Sequence, residues 1–296
     1  MYFCAVKRNF LKIIVWLGVM TLLTMAAMVI WYMLWHGSQS TESVKWLQLL
    51  QTVGTFLLPP VVCAWLWDED RKPSRWLCLE WYPSWQIFAM AAAIMIFAIP
   101  AINLLADLNN RIVLPDALSA VEAKMREWEE SAAVLTEQFL KTDSFTGLLI
   151  NIGLMALLPA FAEELSFRGT LQQLLPARRF PHIPIWITAF IFSAIHMQFY
   201  GFIPRLLMGA MFGYVFVWTG SLWVPVLMHF TNNFLAVLAY YILGDDTVNK
   251  NFADTIGAGN TWWIGVLSLI AVGVWLYLLY LTSLDLPEYD RRTRKE

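Results

Sequence analysis

Charge is scarce in this sequence, and cysteine is scarcer still. Of the 296 residues only 14% are charged while 59% are hydrophobic, and the net charge is -2. Soluble domains carry about 25% charged residues, so this composition excludes a soluble globular enzyme and a disordered chain. A nucleic-acid-binding protein needs a basic patch, which a sequence pI of about 6.1 does not favour. We therefore predict no nucleic-acid partner.

The cysteines exclude two further kinds of site. Cys4, Cys63 and Cys78 are odd in number, and none of them belongs to a Cys-x-x-Cys pair. Neither a disulfide framework nor a cysteine zinc site is supported by such spacing. The interpretation that remains for so apolar a chain is a polytopic membrane protein.

Long apolar runs are abundant, and their lengths fit a bilayer. A hydrocarbon core of about 30 Å needs about 20 apolar residues in a helix. On that scale the sequence predicts an all-α fold, a polytopic transmembrane helix bundle of about eight spans, of which the fifth and sixth are the shortest. The predicted spans are Leu11–Trp35, Trp46–Trp67, Trp85–Leu105, Phe145–Phe161, Ile185–Phe199, Arg205–Thr219, Leu222–Leu243 and Thr261–Leu281.

The distribution of Lys and Arg predicts that the N-terminus and the C-terminus are both cytoplasmic. Cytoplasmic loops of membrane proteins carry an excess of these residues. In this topology the cytoplasmic segments hold Lys7, Arg8, Lys12, Arg71, Lys72, Arg75, Arg168, Arg178, Arg179, Arg291, Arg292, Arg294 and Lys295. The outer segments hold Lys45, Arg111, Lys124, Arg126, Lys141, Arg205 and Lys250. We expect a multi-pass integral membrane protein surrounded by membrane lipids and located in the bacterial cell (inner) membrane.

One polar segment interrupts the apolar pattern. Residues Asn109–Thr142 are rich in charged side chains, with apolar residues such as Leu118, Val121, Met125 and Trp128 at helical spacing. This pattern predicts an amphipathic helix at the outer surface. Such a helix is either a solvated linker between two spans or a lid that faces the substrate, and the sequence leaves both open.

Ionisable side chains in the apolar spans are the candidates for function, because burying a charge in a membrane is costly. Glu163 and Glu164 follow directly on the fourth apolar run, within the same predicted helix. Glu164 and Arg168 have i,i+4 spacing and are expected to form an ion pair, while Glu163 faces another way. The alternative is that all three side chains merely reach toward the cytoplasmic interface.

Two of the four histidines lie in predicted spans. His196 lies in the fifth span. His229 lies in the seventh span, and Asn233 follows it four residues later, on the same helix face. A single histidine in an apolar helix is more often structural than catalytic. Taken together with Glu163 and its neighbours, however, these side chains come from three helices and can converge on one buried polar cavity.

The motifs E-E-x-x-x-R, F-x-x-x-H and H-x-x-x-N, in this order, resemble those of the CPBP family, the CAAX prenyl protease-like (Abi) intramembrane proteases. The matching residues are Glu163, Glu164, Arg168, Phe192, His196, His229 and Asn233. The resemblance covers roughly Phe145–Leu243 and implies an intramembrane endopeptidase. On this basis we divide the chain into N-terminal transmembrane helices (1–109), the outer amphipathic segment (110–144), a catalytic core (145–243), and a C-terminal transmembrane helix with a basic tail (244–296).

The resemblance and the chemistry of peptide hydrolysis together assign a role to each residue. Glu163 takes a proton from water and later gives it to the leaving amine, while His196 orients that water. His229 and Asn233 donate hydrogen bonds to the oxyanion. Glu164 and Arg168 hold Glu163 in place, and Phe192 packs against the cavity.

The cofactor and the function class each have an alternative. Glu163, His196 and His229 are candidate zinc ligands, but no H-E-x-x-H helix fixes such a site. The resemblance also fits a metal-independent glutamate mechanism, which we favour. The expected substrate is a membrane-embedded peptide or a lipidated protein. The alternative functions are a non-catalytic membrane partner, such as a bacteriocin self-immunity protein, and a proton-coupled transporter.

Overall fold

The structure, a computed structural model, describes residues 2–38, 40–176, 182–243 and 256–286, with side chains from Asn9 onward. All regular secondary structure in these ranges is helical, which confirms the predicted all-α class. Seven of the described helices are long and apolar enough to cross a membrane. The chain is therefore a multi-pass integral membrane protein.

Ten helices account for most of the described chain. Seven of them, α1, α2, α4, α6, α8, α9 and α10, are the candidate membrane spans. Their bounds, with those of the other three, are α1 Tyr2–Trp35, α2 Thr41–Trp67, α3 Pro73–Trp76, α4 Trp85–Asn110, α5 Ser119–Leu140, α6 Phe145–Gln172, α7 His182–Ala194, α8 Phe202–Thr219, α9 Trp223–Leu243 and α10 Trp262–Leu284.

The fifth predicted span is shorter than the sequence indicated. Helix α7 has 13 residues, or about 20 Å at 1.5 Å per residue, which is less than the thickness of a hydrocarbon core. The helix ends at Ala194 because Met197 has a left-handed φ of 53° and its N–H donates to the Ala194 carbonyl in a turn. Among the described residues, seven full-length candidate spans and one short apolar helix thus replace the eight predicted spans.

Prolines inside two of the long helices widen the preceding turn. Pro60 in α2 has no N–H to donate to the Phe56 carbonyl four residues earlier, and Val53–Leu57 form a π-helical turn. The Ser166 hydroxyl of α6 donates to this carbonyl instead, at 2.8 Å. In α6, Pro159 likewise follows a π-helical turn. The resulting contact joins α2 to the part of α6 that carries the two adjacent glutamates.

Helix α6 lies between two groups of packed helices. Leu165 of α6 packs with Ala64 of α2 and Phe216 of α8 in one buried cluster. Phe167, two residues later, packs with Trp16 of α1 and other aromatic and apolar side chains in another. Because neighbouring residues of α6 contribute to both clusters, this stretch of the helix is enclosed by protein rather than by lipid.

The polar segment before α6 forms the predicted helix, α5, and it is attached to the turn that precedes α8. Glu122 accepts a hydrogen bond from the Leu114 N–H at 2.9 Å and pairs with Arg126 at 2.8 Å. These two contacts, the backbone bond first, hold the pKa of the Glu122 carboxyl below its usual value. The Arg126 guanidinium lies 4.3 Å from the centre of the Tyr200 ring, and Glu129 accepts a bond from the Tyr200 N–H.

Two of the charges used to predict the topology have other locations in the structure. Arg168 is completely buried, so it marks neither side of the membrane, and Arg205 lines an internal cavity. Removing Arg168 from the cytoplasmic residues and Arg205 from the outer residues leaves the cytoplasmic excess of Lys and Arg unchanged. The cytoplasmic placement of both termini stays a prediction. The structure does not describe the side chains of several basic residues that were also used for this prediction. They are Lys7, Arg8, Arg178, Arg179, Lys250, Arg291, Arg292, Arg294 and Lys295.

Candidate active site

Four of the six predicted site residues line one cavity of about 370 Å³ within the helix bundle. Glu163 belongs to α6, His196 follows the end of α7, and His229 and Asn233 belong to α9. The other two, Glu164 and Arg168, lie behind the cavity wall and are fully buried. Complete burial rules out the alternative in which these two side chains reach toward the membrane interface.

Arg168 and Glu164 form the expected ion pair inside the bundle. The Arg168 guanidinium donates to Glu164 Oε1 at 2.7 Å and to the Gly209 carbonyl of α8 at 2.8 Å. It also lies 4.8 Å from the ring centre of Phe192 and 5.4 Å from that of Phe212. Such a set of partners offsets part of the cost of burying a guanidinium and connects α6 to α7 and α8.

The close approach of α7 and α8 at this pair depends on Gly209. A Cβ atom on this residue would lie 3.2 Å from the Cα and Cβ atoms of Ala189 and 3.3 Å from the Phe192 ring. Contacts of that length are tighter than ordinary van der Waals packing. The glycine therefore lets Phe192 sit beside Arg168 while the Gly209 carbonyl accepts its hydrogen bond.

Glu164 also contacts His229, which differs from the predicted role of holding Glu163. His229 Nδ1 lies 3.0 Å from Glu164 Oε1. Because an ionised carboxylate only accepts hydrogen bonds, the proton between the two atoms belongs to Nδ1. The other ring nitrogen, Nε2, faces Glu163 Oε2 at 3.9 Å, too far for a direct hydrogen bond. The buried pair thus fixes the orientation of His229, and His229 in turn faces Glu163.

His196 lies beyond the end of α7 and not inside a span, and its ring orientation is fixed in a different way. Its Nδ1 lies 2.8 Å from the Phe192 carbonyl, a group that accepts but cannot donate. The Nδ1 atom therefore carries a proton, and Nε2 of the neutral ring is an acceptor. Since the side chain lines the cavity, His196 offers that acceptor to a bound water or substrate group.

The aromatic ring of Phe192 packs between the polar groups of the site. Its centre lies 5.1 Å from that of His196 and 5.9 Å from that of His229, with both pairs in edge-to-face geometry. Further along α9, Asn232 donates from its side-chain amide to Asn233 Oδ1 at 3.2 Å. Both asparagines line the cavity, and this bond turns the Asn233 oxygen toward its neighbour.

Other residues of the cavity wall were not predicted from the motifs. Thr136 and Leu140 of α5 line it, so the amphipathic helix borders the site. Arg205 and Met208 of α8 line it as well. Arg205 had a detectable signal, because it is a charge at the start of an apolar span, but we assigned it to the outer loop.

The described side chains do not gather into a metal site. Nowhere in the ranges that the structure covers do three His, Cys, Asp or Glu side chains approach one another closely enough to hold one ion. The candidate ligands Glu163, His196 and His229 line the same cavity. Glu163 Oε2 and His229 Nε2 approach to 3.9 Å, whereas His196 Nδ1 is held by the Phe192 carbonyl. Their arrangement does not fit the three-ligand set of a catalytic zinc.

Comparison with protein families identifies the segment that carries this site. Residues 145–235 match the family described as "Type II CAAX prenyl endopeptidase Rce1-like", which confirms the resemblance drawn from the motifs. The match includes all six predicted site residues. It is a protease family, and over this segment the chain is similar to an intramembrane protease of CAAX type.

Comparison with individual proteins gives a shorter match. The chain is 37% identical over 84 residues to "Uncharacterized protein YpbD" of Bacillus subtilis (strain 168). The aligned part is 27% of this chain and 40% of the relative. No solved structure matches the chain.

Proposed function

We propose that this protein is an intramembrane endopeptidase in which Glu163 activates a water molecule to hydrolyse a peptide bond. The observation that carries the proposal is the convergence of Glu163, His196 and His229 on one cavity enclosed by apolar helices. Buried ionisable groups inside a membrane bundle are costly and are functional by default. The family match over residues 145–235 supports hydrolysis over other uses of these groups.

Water activation is the task of Glu163 and His196. The Glu163 carboxylate accepts one proton as the water oxygen bonds to the carbonyl carbon, and it later passes that proton to the leaving nitrogen as the C–N bond breaks. His196 Nε2, which the Phe192 carbonyl leaves as an acceptor, accepts the second hydrogen of the same water. The two groups together orient the water toward the carbonyl.

Oxyanion stabilisation is the task of His229 and Asn233. Since the proton on Nδ1 goes to Glu164, His229 must be an imidazolium to donate from Nε2 into the cavity. The Glu164 carboxylate lies on the far side of the ring, 3.0 Å from Nδ1. Asn233, one helical turn further along α9, adds an amide N–H. One such donor is worth about 2.7–4 kcal/mol in the transition state.

Glu164 and Arg168 act on the reaction only through His229. Both are fully buried behind the cavity wall, so neither touches the substrate. They are positioning residues that fix the orientation of the histidine ring. This role resembles that of the carboxylate in a Ser-His-Asp triad, which holds its histidine without exchanging the proton.

The division of the chain and its location follow from this assignment. We propose that residues 145–243 form the catalytic core, that 1–109 and 244–296 support it, and that 110–144 borders the cavity through Thr136 and Leu140. The substrate is a membrane-embedded peptide or a lipidated protein. We place the protein in the bacterial cell membrane, with both termini cytoplasmic, on the basis of the relative in Bacillus subtilis and the Lys and Arg distribution.

The experiment is cleavage of an internally quenched, farnesylated peptide by purified protein in lipid nanodiscs. Glu163→Ala and His196→Ala are expected to abolish cleavage while leaving the helical circular dichroism unchanged. Glu130→Ala, at an exposed glutamate of α5, serves as the matched control and should cleave like the native protein. If the native protein does not cleave the peptide, the hydrolytic function is wrong, and a non-catalytic membrane partner becomes the better interpretation. If both cavity variants cleave at the native rate, the roles assigned to Glu163 and His196 are wrong.

A further inference from the structure

The α2–α6 groove is a second cavity, of about 500 Å³, between the N-terminal parts of these two helices. Its volume falls in the range of about 300–1,000 Å³ that is typical of small-molecule sites. It shares no lining residue with the catalytic cavity, so the mechanism proposed above does not account for it. Its wall includes Glu42, Lys45, Trp46, Leu49, Ile150 and Leu154.

A buried hydrogen-bond chain holds Lys45 at the wall of this groove. Lys45 Nζ donates to Asn151 Oδ1 at 2.9 Å, and Asn151 Nδ2 donates to the Leu140 carbonyl at 3.0 Å. Leu140 is the last residue of α5, so its carbonyl has no partner within that helix. Asn151 is only 1% exposed. The lysine ammonium therefore has a fixed place in the groove, set by residues of α5 and α6.

The charges of Glu42 and Lys45 do not neutralise each other. Opposite charges three residues apart on a helix commonly pair. Among the residues that the structure describes, however, Lys45 donates only to Asn151, and Glu42 forms no ion pair. An ammonium has three donors, so two of those on Lys45 are available to a bound group. The groove thus offers its occupant one positive and one negative charge.

The groove lies at the depth of lipid headgroups. Helix α2 is a candidate span that begins at Thr41, and Trp46 in its second turn is 45% exposed. Tryptophan is enriched at the headgroup level of a bilayer. On α6, the apolar side chain of Ile150 is 48% exposed beside the same groove. The charges of Glu42 and Lys45 therefore lie where a phospholipid carries its own.

We propose that the α2–α6 groove binds phosphatidylethanolamine, a phospholipid with a phosphate and a primary amine in its headgroup. The order of residues along α2 matches the order of groups in this lipid. Lys45 is placed to bind the phosphate, and Glu42, about 4.5 Å nearer the start of the helix, the ammonium that follows it after two carbons. Leu49 and Leu154 lie further into their spans, where they contact the acyl chains. The site is separate from the catalytic cavity, so the inference does not depend on the proposed function.

Other phospholipids match these charges less well. Phosphatidylglycerol has a phosphate for Lys45 but no cation for Glu42. Phosphatidylcholine has a cation, but its quaternary nitrogen has no N–H to donate to the carboxylate. If the groove merely contacts acyl chains, all three lipids bind equally. The discriminating quantity is therefore the ratio of affinities among lipids that have identical chains and different headgroups.

The test is native mass spectrometry of the delipidated protein, titrated in detergent with each of the three lipids. We expect the first phosphatidylethanolamine to bind about tenfold or more tighter than the other two, as for a charge-assisted hydrogen bond. Lys45→Gln, which can still donate to Asn151, should weaken this binding about tenfold. Glu42→Lys should reverse the order in favour of phosphatidylglycerol, a result that misfolding does not produce. Lys124→Gln, at an exposed lysine of α5, is the control and should retain the native order.

A further variant tests the groove itself. Leu154→Trp fills part of the cavity and should abolish the preference for phosphatidylethanolamine while leaving the helical circular dichroism unchanged. Equal binding of the three lipids by the native protein overturns the proposal, as does an affinity for phosphatidylethanolamine that neither Lys45→Gln nor Glu42→Lys changes. A native dimer that excludes the lipid and dissociates in Leu154→Trp would show that a second copy of the chain covers this surface, and would also overturn it.

Discussion

The buried pair of Arg168 and Glu164 allows a quantitative prediction about stability. Replacing Arg168 by Met keeps much of the side-chain volume but leaves Glu164 as a fully buried carboxylate that keeps its contact with His229 and loses its arginine partner. Breaking a buried pair in this way costs about 3–5 kcal/mol. The variant should therefore be strongly destabilised, although Arg168 touches neither the cavity nor, in our account, the substrate.

A second substitution should recover most of that loss. In Arg168→Met with Glu164→Gln neither member of the former pair carries a charge, and the glutamine oxygen still accepts a hydrogen bond from His229 Nδ1. Within the described part of the chain, Glu164 Oε2 and Arg168 Nε have no hydrogen-bond partner, so the native pair is incompletely satisfied. Replacing such a pair by neutral residues is often close to neutral. We expect a coupling energy of about 2 kcal/mol or more between the two sites.

The assay is unfolding of the purified protein in mixed micelles of increasing SDS content. The 16 tryptophans provide a fluorescence signal for all four proteins of the double-mutant cycle. Asp107 and Arg111 give a matched control, because they form an i,i+4 pair at the same 2.7 Å distance but Arg111 is 64% exposed. That pair should show a coupling of about 0.5 kcal/mol or less. Equal coupling at the two pairs would refute the argument that burial makes the Arg168 pair energetically important.

Three further predictions concern the packing, the amphipathic helix and the metal. Gly209→Val should destabilise the protein by about 1–3 kcal/mol through overpacking against Ala189 and Phe192. The control in the same unfolding assay is Gly273→Val, where no atom lies within 4 Å of the added Cβ. Glu122→Gln should speed hydrogen exchange at the Leu114 amide, whose bond to the carboxylate it weakens. The pKa of Glu122 is lowered in the folded protein. Protection of the Leu114 amide from exchange is therefore complete above the ordinary glutamate pKa of about 4.3, and it is lost as the pH falls through the lower folded-state pKa. Protection that is unchanged between pH 7 and pH 2 contradicts this prediction. Chelation should leave peptide cleavage unchanged, and elemental analysis should find no stoichiometric zinc, because the described candidate ligands do not form a metal site. Loss of cleavage on chelation, with recovery on adding zinc, would contradict this prediction.

The parts of the fold that the sequence predicts are those set by composition and local spacing. The long apolar runs identify the spans because a bilayer imposes their length. The i,i+4 spacing of Glu164 and Arg168 suffices to predict their ion pair, which the structure forms at 2.7 Å. The amphipathic spacing after residue 109 likewise predicts α5.

The parts that the sequence does not predict depend on backbone exceptions and on distant contacts. The left-handed φ at Met197 ends α7 early and places His196 outside the helix, although the surrounding residues are apolar. The contact between Glu164 and His229 joins residues 65 positions apart, and no local pattern encodes it. Arg205, like the two glutamates, is a charged residue next to an apolar run. Because it lies at the beginning of the span, we assigned it to the preceding loop.

The central claim is that Glu163 is the group that activates water. The most direct measurement is the rate of product formation from a farnesylated peptide by native protein and by Glu163→Gln in nanodiscs, followed by mass spectrometry of both fragments. We predict that the substitution lowers the rate by about a hundredfold or more, while Glu130→Gln cleaves at the native rate and all three proteins unfold at the same SDS content. Native-rate cleavage by Glu163→Gln would contradict the account.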